Sequence, residues 1–249
     1  MRIGIVGVGH IGSSLARKYA AAGHEVRVAN SKGADGVRAF ADEVGAIAAD
    51  ARGAVEVADV IILSIPFPAI SKLPPDLFDG VPERVPVIDT GNYYPGLRDP
   101  NIPEIDAGMT ESVWVAQQIG RPVIKAFNNV LAETLADLGA PEGAPGRLAI
   151  AVAGDDAEAK RVAMGLVNVA GFDPVDAGSL EESWRQQPYT PVYCLDLDAA
   201  TTRVKLAEAV KGEARPKIAH AQALMAQLDR DLTHDDLLAL NRTLQGIEG

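Results

Sequence analysis

Apolar and polar positions alternate along this chain in a repeating order of short β-branched runs and helical stripes. Arg2-Ile-Gly-Ile-Val6 opens as a run that suits a buried parallel strand. A glycine turn follows, and then Ile11, Leu15, Tyr19 and Ala22 recur at helical spacing, with Gly23 where a helix C-terminal cap belongs. Glu25 to Ala29 reads as the second strand, which completes a βαβ unit. The pattern predicts a helix over 35–45 and strands at Val60 to Ser64 and Pro86 to Asp89. A helix over 110–119, a strand at Pro122 to Ala126 and a helix at Ala132 to Leu138 come next. A strand at Arg147 to Ala153, a helix over 157–170 and a strand at Phe172 to Asp176 close the series. Strands alternating with helices over this length specify a Rossmann-type, doubly wound, mostly parallel α/β sheet covered on both faces.

Beyond Gly178 the alternation stops. An irregular segment, Trp184-Arg-Gln-Gln-Pro-Tyr-Thr-Pro191, is followed by helical stretches only. Ile218, Ala221, Leu224, Met225, Leu228 and Leu232 form one apolar stripe. Thr233-x-x-Asp236 has the form of a capping box at the start of the last helix. The expected organisation is a dinucleotide-binding domain over 1–178 and a small α-helical C-terminal region over 179–249. The apolar tail needs a cover, either the sheet domain or a second subunit, which makes a homodimer the expected assembly.

Composition narrows the function classes. The 249 residues carry 23 Lys and Arg against 34 Asp and Glu, a formal net charge of −11. Such a chain has no bulk attraction for nucleic acid or an anionic membrane surface. The single cysteine, Cys194, leaves no internal disulfide and no cysteine-based metal cage. The longest apolar run near the middle, Val60 to Ile65, is far too short to span a bilayer. A soluble, cytoplasmic protein without a bound metal is expected.

The chemistry starts at Gly7-Val-Gly-His-Ile-Gly12. Gly7 permits the tight turn, Gly9 lets backbone approach a pyrophosphate, and Gly12 lets helix pack on strand. The N-terminus of the following helix, with His10 and Ile11 in its first turn, offers N–H groups and partial positive charge to phosphate. The motif follows a strand and opens a helix inside a βαβ unit, the context that a dinucleotide fingerprint requires. An NAD site would place an acid about 20 residues further on, against the ribose 2′-hydroxyl. Here Asn30-Ser31-Lys32 occupies the end of the second strand. Ser31 can donate a hydrogen bond and Lys32 brings a cation, so a 2′-phosphate, and hence NADP(H), is expected; Arg38 lies within reach of the same region by sequence.

In open α/β sheets ligands gather beyond the carboxyl ends of the strands. Three segments qualify there: Ser64-Ile65-Pro66-Phe67, Asp89-Thr-Gly-Asn92-Tyr-Tyr-Pro95 and Lys125-Ala-Phe-Asn128-Asn129. Ser64, Ile65, Pro66, Asn92, Lys125 and Asn128 are the expected frame of the nicotinamide and its acceptor. Each segment has a plainer reading: Pro66 as a strand terminator, Tyr93 and Tyr94 as core cover, Lys125 as the partner of an acid. No catalytic residue stands out, and Lys125 is the single weak candidate. Trp184, Gln187 and Tyr189 either fold over the site or serve a dimer. No Gly-x-Ser-x-Gly elbow, Walker loop or His-Glu-x-x-His motif is present.

Taken together, Gly7 to Gly12, Ala29-Asn-Ser-Lys32, the strand ending at Pro66, Asp89-Thr-Gly-Asn92 and Lys125-Ala-Phe-Asn128 resemble the NADPH-dependent deazaflavin (coenzyme F-420) oxidoreductase family. The reductase domains of the six-transmembrane metalloreductases are similar too. The resemblance covers about residues 1–190. It implies a Rossmann domain, NADP(H), and hydride exchange with a flavin or coenzyme F-420 as co-substrate, with Ser31 and Lys32 on the 2′-phosphate. The family more often has arginine where Lys32 stands, and a lysine is a point charge and not a fork. Ring-to-ring hydride transfer needs stacking and orientation more than a side-chain acid or base. Two other functions fit parts of the pattern. Lys125 and Asn129 have the Lys-x-x-x-Asn spacing of the β-hydroxyacid dehydrogenases, so an NADP-dependent reductase of a small hydroxy acid, carbonyl or imine is one. A non-catalytic NADPH sensor or redox partner is the other.

Overall fold

The computed structural model describes residues 1–226 and 232–247. The chain runs β1 (Arg2–Val6), α1 (His10–Ala21), β2 (Glu25–Ala29), α2 (Gly33–Val44), β3 (Ile47–Ala48), α3 (Ala51–Val55) and β4 (Val60–Leu63). It continues through β5 (Val87–Asp89), α4 (Pro103–Asp106), α5 (Glu111–Ile119), β6 (Ile124–Lys125), α6 (Ala132–Asp137), β7 (Ala149–Val152), α7 (Ala157–Val169) and β8 (Asp173–Asp176). The last helices are α8 (Ala199–Glu208), α9 (Ala214–Met225) and α10 (His234–Leu244), and 3-10 turns occupy Phe67–Lys72 and Glu181–Gln186.

Six strands form one parallel sheet in the order β3-β2-β1-β4-β5-β6. This is the doubly wound Rossmann order, whose direction reverses between β1 and β4. Side chains alternate across it. Ile3, Ile5 and Ile62 enter one buried cluster with Leu15 and Tyr19 of α1 and Leu166 of α7. Val6, Ile61 and Leu63 enter the other with Phe67, Trp114 and Val115. At Gly4 a Cβ would lie 2.1 Å from Ala54 O, so α3 presses directly on β1.

The expected strands are present, but the last two do not extend the main sheet. β7 and β8 form their own parallel pair, joined to β6 by an antiparallel bridge between Lys125 and Ala153. The strand expected over 122–126 is trimmed to two residues. Phe127 adopts φ +63°, which turns the chain out of the extended conformation. The short β3 and α3 lie in a stretch where no element is expected from the pattern.

After Gly178, α8 packs on β7 and β8. Ile218, Leu224 and Met225 of α9, with buried Ala221, gather with Leu240 and Leu244 of α10 around Tyr94 and Tyr189. Leu228 of the apolar stripe lies outside the described residues. Thr233 and Asp236 form a reciprocal capping box at the start of α10. Among the described residues no helix is long and apolar enough to cross a membrane.

Candidate functional site

The site begins at the reversal between β1 and β4, where the two crossovers leave a crevice at the strand ends. Gly7 has φ +104°, and its N–H donates to Ala29 O at 2.8 Å. A Cβ there would lie 2.1 Å from Ser64 O, and one on Gly12 would lie 2.0 Å from Gly7 O. Both glycines are therefore demanded by backbone crowding. Gly9 differs: a Cβ there would meet nothing within 4 Å. Its open side lies over the N-terminus of α1, where the first hydrogen bond of the helix runs from Ser13 N–H to Gly9 O. The N–H groups of the turn before it are left for another acceptor. His10 is exposed and Ile11 packs partly on the core.

At the end of β2 the Asn30 side chain is used to build the turn. Its Oδ1 accepts from Lys32 N–H at 2.8 Å, and its Nδ2 donates to Gly36 O at 2.9 Å. That fixes the neighbouring Ser31 and Lys32, which are both exposed. Arg38 is held by Asp35 at 2.7 Å, one turn along α2.

Beyond β4, Ser64 N–H bonds Val6 O, and Ile65 packs beside Gly7. Pro66 opens the 3-10 turn that buries Phe67, whose ring stacks on Trp114 at 5.2 Å. Beyond β5 and β6 the remaining expected residues join one hydrogen-bonded group. Asn92 Nδ2 donates to Asn128 O at 2.8 Å, and Asn128 Nδ2 donates to Asn92 Oδ1 at 3.0 Å. Gln186 completes the group: its Nε2 donates to Asn128 Oδ1 at 2.9 Å, and its carbonyl accepts from Asn128 Nδ2. Lys125 is placed differently. It is fully buried, with Nζ 3.0 Å from Asp89 Oδ2 and a very short hydrogen bond to Gly91 O. Ser112 Oγ donates to the same Asp89 oxygen at 2.7 Å. Lys125 therefore supports the Gly91-Asn92 loop from beneath. Asn129 shares no helix with it; the Asn129 carbonyl receives Cys194 N–H, and its Oδ1 is buried without a partner.

A deep cleft starts one residue past Asn92 and one past Gln186. Tyr93, Met109, Glu111, Trp184, Gln187, Lys211 and Arg215 are among the residues that line it. Glu111, the first residue of α5, is 5% exposed, and its Oε2 accepts from Tyr93 N–H at 3.3 Å. Burial pushes its carboxyl up to about 8, against the opposing pull of the Lys125 charge and the Tyr93 N–H. Gln187 Nε2 is buried without a partner. Trp184 and Gln187 thus face the cleft, whereas Tyr189 packs between Tyr94 and Tyr193. The pattern reading does not single out Glu111 or Gln186. The signal for Glu111 is its place at i on a stripe continued by Trp114 and Val115 at i+3 and i+4.

Cys194 is buried, and burial pushes its thiol well up, which leaves it inert at neutral pH. Among the described residues no group of three or more His, Cys, Asp or Glu side chains is arranged to hold a metal ion.

Residues 2–93 match the family described as NADP oxidoreductase, coenzyme F420-dependent. Protein YjhV of Escherichia coli (strain K12) is 50% identical over 104 residues, which cover 42% of this chain and 76% of YjhV. The crystal structure of the hypothetical protein SMa0349 from Sinorhizobium meliloti is similar with a TM-score of 0.66 and 29% identity. The likeness covers 79% of this chain and 95% of that one. A candidate F420-dependent NADP reductase of Arthrobacter sp. FB24 has a TM-score of 0.58 at 20% identity, over 74% of this chain and 87% of its own. At that identity the likeness speaks for the fold. The chain belongs to the family described as NADP oxidoreductase, coenzyme F420-dependent, and so to the NADP-dependent oxidoreductases.

Proposed function

We propose that the protein transfers hydride between NADP(H) and a flavin or deazaflavin acceptor. The cofactor part rests on the open side of Gly9 above the α1 N-terminus, which a side chain would fill. The Gly7 to Gly12 loop would hold the pyrophosphate, with Ser31 and Lys32 on the 2′-phosphate. The nicotinamide would lie toward Ser64, Ile65, Pro66 and Asn92, with Asn128 bracing Asn92. When bound, NADPH supplies a hydride from its nicotinamide ring.

The acceptor part rests on one observation: Lys125, whose spacing to Asn129 matches the β-hydroxyacid dehydrogenases, is fully buried and committed to Asp89 and Gly91 O, which is not the placement of that family's proton donor. Reducing a carbonyl needs a donor within reach of the developing oxyanion. Ring-to-ring transfer needs chiefly a wall to stack on and a fixed distance, and the cleft beside Asn92 offers Tyr93 and Trp184. The test is anaerobic oxidation of NADPH by the purified protein against 5-deazariboflavin, riboflavin, FMN and a panel of small aldehydes, keto acids and imines. Turnover with the ring acceptors and not with the carbonyl panel is expected. Turnover confined to the carbonyl panel would overturn the reading.

A further inference from the structure

We infer that the cleft between Tyr93 and Trp184 is the acceptor site, and that Glu111 and Gln187 present hydrogen-bond donors to the polar edge of a planar acceptor. This rests on the hydride-transfer reading above and goes further by assigning the pocket and the edge chemistry it selects.

Two segments of the nicotinamide frame run on into the lining of the cleft. Asn92 is followed by Tyr93, and Gln186, bonded to Asn128, is followed by Gln187. The walls of the cleft suit a ring: Tyr93, Met109 and Trp184 are broad apolar surfaces.

Two polar groups remain for the ring's edge. One is the Gln187 amide, whose Nε2 has no partner among the described residues. A buried donor left unpaired costs about 1–3 kcal/mol, which a ligand carbonyl would relieve. The other is Glu111. Its surroundings include Lys125 of β6, Asp89 of β5, Asp99, and the Tyr93 N–H. The pull of Lys125 on Glu111 is opposed in part by Asp89, which pairs with Lys125 at 3.0 Å. The two cations of the cleft lining are paired as well, Arg215 with Asp106 at 2.9 Å and Lys211 with Glu181 at 3.3 Å. Burial then governs, and the acid keeps its proton near neutral pH. A neutral Glu111 and the Gln187 amide together present two donors. Their match is a planar heterocycle with neighbouring hydrogen-bond acceptors, such as the carbonyls and ring nitrogen of an isoalloxazine-type pyrimidinedione. Such an edge gains electron density as hydride arrives, so a donor there favours the reduced state.

The test is riboflavin binding, followed by quenching of tryptophan fluorescence between about pH 6 and pH 9.5, with NADPH affinity measured alongside. Quenching is expected to diminish in Trp184→Phe, because Trp114, stacked on Phe67, remains as a second fluorophore. In the wild type the riboflavin Kd should rise with pH above about 8, approaching tenfold per unit as Glu111 gives up its proton. Glu111→Gln, which still donates but cannot ionise, should bind riboflavin with a flat profile. Gln187→Leu should weaken riboflavin binding at every pH and leave NADPH affinity unchanged. The assignment is overturned if Glu111→Gln keeps the wild-type pH profile, or if Gln187→Leu binds riboflavin as tightly as the wild type. Riboflavin turnover with either of those results would remove the assignment and leave the hydride-transfer reading standing. NADPH binding with turnover of small carbonyl compounds only would remove both.

Discussion

Three glycines stand within six positions, and only two of them are needed by the fold. A Cβ on Gly12 would lie 2.0 Å from Gly7 O, whereas one on Gly9 would meet nothing. Gly12→Ala should therefore lower stability by about 1–3 kcal/mol through crowding, measured by urea unfolding. Gly9→Ala should unfold at the wild-type midpoint yet bind NADPH more weakly, measured by calorimetric titration. At the end of β2, Ser31 and Lys32 are exposed on a turn that Asn30 fixes. A hydrogen bond to a charged group is worth about 1.5–3 kcal/mol, and about 1.4 kcal/mol is tenfold in affinity. Ser31→Asp with Lys32→Ala should therefore lower the NADPH-to-NADH ratio of kcat/KM by at least about tenfold. These residues were legible in sequence because glycine and strand-end positions carry local geometry. Glu111 was not, because an acid in the first turn of a helix reads as an ordinary dipole partner. Its burial depends on the packing of α5 against Tyr93 and the 3-10 turn over Glu181–Gln186, which no local pattern encodes.

Among the elements, β5 and β6 are joined by more than their ladder. Asp89 and Lys125 are register partners, and their side chains pair at 3.0 Å with Ser112 of α5 on the same carboxylate. Breaking a buried pair by removing one partner leaves an uncompensated charge, at about 3–5 kcal/mol. Lys125→Met should be destabilised on that scale, and Lys125→Met combined with Asp89→Leu should recover much of the loss, both read from unfolding midpoints. If Lys125 acted only as a proton donor, the single variant would lose turnover without losing stability. The strand-helix alternation showed most elements, because continuous β-branched runs and apolar stripes differ in period. It missed β3 and α3, which span two and five residues and are too short to establish a period. It also placed β7 and β8 in line with the others, since a run such as Ala149–Val152 carries no mark of the antiparallel bridge at Ala153.

Over the whole molecule, the helical tail and the sheet meet through aromatic residues. Tyr94, just past the β5 end, stands with Tyr189 against α9 and α10, while Tyr93 lines the cleft together with Ala214 and Ile218 of α9. The acid at its floor links stability to pH. The carboxyl of Glu111 ordinarily titrates at 4.5 and is pushed to about 8 in the fold. Between those values the folded state holds a proton that the unfolded chain releases. This contribution is full below about pH 4.5 and is lost as pH rises toward 8. Glu111→Gln should therefore gain stability relative to the wild type between about pH 5 and pH 8, measured by parallel urea titrations. A difference independent of pH would contradict the buried acid. The cofactor claim underlies all the rest, and calorimetric titration of NADPH and NADH into the wild type and Gly9→Ala tests it most directly. The account predicts tighter binding of NADPH than NADH by at least about tenfold, with weakened NADPH binding in Gly9→Ala. Equal affinities for the two cofactors, or unchanged affinity in Gly9→Ala, would contradict it.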